Sequence, residues 1–133
     1  MSKLISRRVK IAIFFCAFSF AQSLSYGAVG RIYSNVEYNE EGGDLLGYEL
    51  EFHVDRMRIS GVLRIYEGGC GNAAAVDGTL DRNKITLNGV SEIYGKLNLT
   101  GTLSNGLIQA TLVMQKATKP ETVKLRRISK PHC

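Results

Sequence analysis

The chain has 133 residues, room for one domain of ordinary size, and its 17 lysines and arginines outnumber its 12 aspartates and glutamates. Four of the cations, Lys3, Arg7, Arg8 and Lys10, stand in the first ten residues; from residue 28 onward thirteen basic residues meet twelve acidic ones, a net charge of +1. That excess is too small for a nucleic-acid-binding face, which needs clustered Lys and Arg.

The basic start MSKLISRRVK leads into IAIFFCAFSFA, Ile11 to Ala21, and then into the small and polar QSLSYGA. This order is that of a secretory signal peptide. The apolar run is shorter than the roughly 18 to 20 residues of a spanning helix. Residues 1–27 therefore read as a cleaved leader and 28–133 as a single exported domain, periplasmic or secreted, that meets a membrane only during export. Cys16 leaves with the leader.

Beyond the leader, apolar residues recur at every second position between short Gly, Asn and Asp punctuation, which is strand and not helix periodicity. RIYSNVEY places Ile32, Val36 and Tyr38 on an inner face and Tyr33 on the outer one. NEEGGD, Asn39 to Asp44, is a turn. LLGYELEFHV alternates most clearly: Leu46, Tyr48, Leu50, Phe52 and Val54 share the inner face, and Gly47, Glu49, Glu51 and His53 share the solvated one. MRISGVLRIY continues with Met57, Ile59, Leu63 and Ile65 inward, Val62 and Tyr66 outward. AAAVDGTL, NKITLNGV, GKLNLTGTL, LIQATLVM and TVKLRR complete the set. The likeness of GTL-DRN-KITL to GTL-SNG-LIQATL predicts two equivalent three-residue hairpin loops, with Asn83 and Gly106 supplying the left-handed residue.

About eight short strands joined by hairpins predict an all-β, antiparallel up-and-down meander closed into a small barrel, with an open β-sandwich as the competing architecture. In this pattern the chain resembles the avidin-like and lipocalin-like meanders, which implies a closed barrel. No motif carries a binding site over. Gly61, Gly78 and Gly101 fall in the inward phase, where they either widen a lumen or relieve crowding at bends.

Two cysteines remain after the leader, Cys70 in EGGCGN and Cys133. An even count in an exported chain predicts one disulfide. It would bring His132 toward Cys70, the best case for thiol chemistry in the chain. No spacing of Cys or His suggests a metal, and no cofactor is implied.

Acidic residues crowd between Val29 and Asp55, basic ones between Lys124 and Lys130. The two segments either attract each other across neighbouring strands or leave a basic tail for an anionic surface. Candidate binding residues follow from loops and exposed aromatics: Glu40, Glu41 and Asp44 in one loop, Glu67 and Asn72 around Cys70, Tyr38 and Tyr48 as inward hydrogen-bonders, Tyr33 and Tyr66 as outward contact anchors. The expected function is a non-catalytic binding protein for a small apolar ligand or a protein partner, such as an envelope inhibitor or immunity protein. The alternatives are a self-assembling envelope or matrix component and, third, a hydrolase using a carboxylate such as Glu67.

Overall fold

The computed structural model describes residues 30–133; the leader and Cys16 lie outside the described residues. Nine strands follow in chain order: β1 (Arg31–Ser34), β2 (Glu37–Asn39), β3 (Asp44–Asp55), β4 (Arg58–Gly68), β5 (Asn72–Asp81), β6 (Lys84–Ser91), β7 (Gly95–Ser104), β8 (Leu107–Met114) and β9 (Glu121–Ile128). Strands β3 to β9 pair antiparallel in sequence, and β1 closes the circle by pairing with both β3 and β9. The result is a closed eight-stranded barrel, not a sandwich, with β2 outside it.

RIYSNVEY is thus two strands, not one. Both keep a single register against β3, Ser34 opposite Glu49 and Glu37 opposite Leu46. Between them the Asn35 N–H still donates to the Tyr48 carbonyl at 3.0 Å, but side chains take the other two bonds. Asn35 Oδ1 accepts the Tyr48 N–H at 2.7 Å, and Ser34 Oγ accepts the Val36 N–H at 3.0 Å. Gly47 makes this possible, because its φ of 132° and its contact with Asn35 leave no room for a Cβ. Past this break the β2–β3 hairpin projects beyond the barrel.

The register against β3 corrects the phase of the first strand, setting Tyr33 opposite Leu50 and Tyr38 opposite Leu45. Tyr33, expected outward, points into the core and stacks on Phe52 with ring centroids 5.6 Å apart, while Ile32 takes the outer face. Tyr38, expected inward, is 63% exposed, because β2 has only β3 beside it and no interior to face. Leu46 is 45% exposed for the same reason.

The two ends of the barrel differ. At one, the turn end, β3–β4, β5–β6 and β7–β8 are joined by two-residue turns, Arg56-Met57, Arg82-Asn83 and Asn105-Gly106, instead of three-residue loops. The first residue of each is left-handed, with φ of 59°, 55° and 52°. Asn-Gly suits such a turn. Arginine does not, and the conformation costs an L-residue about 1–2 kcal/mol. The opposite, loop end carries the segments 40–43, 69–71, 92–94 and 115–120.

Side chains fill the barrel. Leu50, Phe52, Leu63, Ile85, Leu99, Ile108, Leu112 and Leu125 form its centre, each almost fully buried. The inward glycines belong to the walls, not to a lumen. A Cβ on Gly61, Gly78 or Gly101 would lie 2.1, 1.8 or 2.0 Å from a carbonyl oxygen of the neighbouring strand. The neighbouring backbone comes so close at these three positions that only glycine fits.

After β9 the chain runs back along the outside. Ile128 pairs with Ile32 near the turn end, yet Cys133 is bonded to Cys70 at the loop end, as the cysteine count predicted. Residues 129–133 therefore form a strap over the outer faces of β1, β3 and β4. Ile32 lies on its path and is buried.

Candidate functional site

The hairpin turn is built by Asn39. Its carbonyl accepts the Gly43 N–H at 2.7 Å and its Oδ1 accepts the Glu41 N–H at 3.0 Å, while Gly43 supplies the left-handed residue. Glu40, Glu41 and Asp44 are held outward on this turn and are exposed. The strands carry the turn to the Cys70 loop, since Leu45 pairs with Gly68 and the Asp44 carboxylate lies beside Gly68. The two loops singled out in the sequence thus form one surface, with Tyr38 and Leu46 exposed upon it. Asn72, at the start of β5, is exposed next to it. Glu37, Glu67, Glu92 and Glu121 add to the same end, against Lys96, Lys116 and Lys119.

The mouth of the barrel at this end is closed by two tyrosine–carboxylate bonds. Tyr48 donates to Glu121 where the β1–β9 ladder has run out, and Tyr94 donates to Glu67 from the opposite side. Burial and then the bond to Glu121 push the Tyr48 phenol far above its ordinary value, and the nearby Glu67 charge adds to the effect. Tyr48 and Glu67 were expected in the site; their partners were not. Tyr94 is placed by Ser91, whose Oγ accepts the backbone N–H groups of Ile93 and Tyr94 at 3.2 and 3.1 Å.

Tyr66 has a different role from the contact anchor expected of it. It points outward but is only 2% exposed, because the strap covers it. Its hydroxyl donates to Glu49 Oε2 at 2.9 Å, and Arg64 Nη1 lies 3.4 Å from the same oxygen. Oε1 accepts the backbone N–H of His132 at 3.1 Å, and His132 Nδ1 stands 2.8 Å away. Arg64 is shared with Glu51 at 3.0 Å. Glu49, read as solvated, is completely buried on the outside of the barrel. Burial pushes its carboxyl up, but the bonds from the His132 side chain and backbone and from Tyr66 outweigh this and hold it below the usual range. Burial and the Glu49 bond raise Tyr66 to about 12. With both carboxylate oxygens occupied and both sulfurs oxidised, this cluster fastens the strap.

The basic residues of β9 and the strap do not pair with the acidic hairpin. Arg126 stands opposite Ser34 and Arg127 opposite Tyr33, and among the described residues Lys124, Arg126, Arg127 and Lys130 form no ion pair. Comparison with known proteins finds no matching family, no similar curated protein and no similar solved structure.

Proposed function

We propose that the chain is an exported, non-catalytic binding protein that captures a protein partner through its loop end. The observation that carries this reading is the projecting hairpin, which presents Tyr38 and Leu46 within a rim of Glu37, Glu40, Glu41 and Asp44. An exposed aromatic on a turn already fixed by Asn39 loses little entropy on docking, and acidic rims steer basic partners. The filled barrel favours a protein partner over an apolar ligand in a lumen. The disulfide and the leader-like start support export.

Immobilised protein is incubated with an extract of the source cells at low and high salt. A partner that binds through this end is retained at low salt, released by salt, and lost to Tyr38→Ala and to joint charge reversal of Glu40, Glu41 and Asp44. Retention by both variants would defeat the proposal. The self-assembling alternative draws on the unpaired edges of β2 and of Glu121–Leu125 in β9. Sedimentation of the purified protein tests it, with concentration-dependent growth as its signature.

A further inference from the structure

The turn end has the opposite character. Arg31, Arg56, Arg58, Arg82, Lys84 and Arg127 gather there against Asp55, Asp77 and Asp81. A cavity of about 520 Å³ opens at the barrel mouth, with Tyr33, Leu80 and Leu103 forming its apolar side. Arg31, Arg82, Asn83, Ser104 and Asn105 supply its polar lining, and no carboxylate contributes.

The turns themselves give a second, independent observation. Asp-Arg-x-Arg at residues 55–58 and Asp-Arg-x-Lys at 81–84 repeat one pattern at two neighbouring turns. In both, arginine occupies the left-handed position that the third turn gives to Asn105. A strained backbone retained at a site for the sake of its side chain points to a use for that side chain. Folding supplies none, since among the described residues neither Arg56 nor Arg82 forms an ion pair, although an aspartate precedes each.

We propose that this mouth binds a phosphate group, carried either by a small phosphate or phosphate ester or by a lipid headgroup. Guanidinium forks match phosphate oxygens two at a time. The three or four oxygens of a phosphate let Arg31 and Arg82 donate together with the amides of Asn83 and Asn105 and the Ser104 hydroxyl, whereas a carboxylate has only two oxygens to offer. The proposal stands apart from the loop-end reading and does not depend on it.

The test titrates the oxidised protein, in phosphate-free buffer, with inorganic phosphate and separately with phosphatidylcholine vesicles containing or lacking phosphatidylglycerol. Arg82→Asn is the informative variant, because asparagine suits the left-handed turn and its melting temperature holds or rises. Arg31→Gln accompanies it, and Lys124→Gln on the barrel wall is the control. Binding of phosphate that falls about tenfold or more in both mouth variants, and within twofold of the parent in the control, supports a small-phosphate site. The same pattern seen only with phosphatidylglycerol vesicles supports the headgroup as the source. Absence of binding to either probe, mouth variants that bind like the parent, or an equal loss in the control overturns the proposal.

Discussion

Replacing Glu49 with alanine removes the acceptor for the strap while leaving the disulfide in place. The buried Tyr66 hydroxyl then has no acceptor, keeping only the Cys133 backbone N–H that it accepts, the His132 backbone N–H has lost its acceptor, and Arg64 keeps only Glu51. Each buried polar group left without a partner costs about 1–3 kcal/mol. Some relief from water entering beneath the strap brings the expected loss to about 3 kcal/mol, which in a domain of this size lowers the melting temperature by roughly 12–20 °C. Urea unfolding of the oxidised protein measures it. The pH dependence gives an independent check. The folded carboxyl sits below its unfolded value of 4.5, so its stabilisation is fully present above that pH and fades as acid takes the pH down through the folded value. Glu49→Gln should flatten this acid limb. A loss below about 0.5 kcal/mol in Glu49→Ala, a size typical of surface changes, would refute the buried anchor.

Cys133→Ser opens a bridge between residues 63 apart in sequence, for an expected loss of about 4 kcal/mol on the chain-entropy model; in that background Glu49→Ala should cost less, since the strap is already loose, and a double-mutant cycle in urea shows the coupling. Gly78→Ala places a methyl carbon 1.8 Å from the Thr86 carbonyl oxygen and should cost about 3 kcal/mol or more, while Gly69→Ala, with nothing within 4 Å, should be neutral in the same thermal melt. Absorbance titration should show one tyrosine ionising near pH 12, Tyr66, and Tyr48 resisting longer. Both phenols are raised on folding, so they stabilise the protein below pH 10 and that stabilisation is lost as pH rises through the folded values, measurable as a falling urea midpoint.

Alternation alone revealed the barrel wherever a strand has one apolar face. In LLGYELEFHV it placed Leu50 and Phe52 inside and His53 in solvent, as found. It failed where both phases are apolar. Ile32 and Tyr33 each qualify for the interior, and the choice is made by the register against β3, which sets Tyr33 opposite Leu50 and stacks it on Phe52, both long-range facts. Glu49 shows a second limit. Periodicity says which way a side chain points, not what later crosses over it, and a carboxylate on the outer face became buried because the strap returns from the far end of the barrel. The Cys70–Cys133 pairing could have warned of this, since the route between them passes β3. The loops at 39–44 and 67–72 were recognisable by their turn chemistry, but Tyr94 was hidden in a connection with no periodicity at all.

Closure of the barrel rests on its shortest stave. Four residues of β1 join β3 to β9, and the strap passes outside them like a hoop fastened by Cys133. If that stave lifts, the long margins of β3 and β9 are bared together, and neighbouring molecules can zip onto them. Reduction should therefore favour self-association, and amide exchange in β1 should quicken before that in any other core strand once a reductant is added.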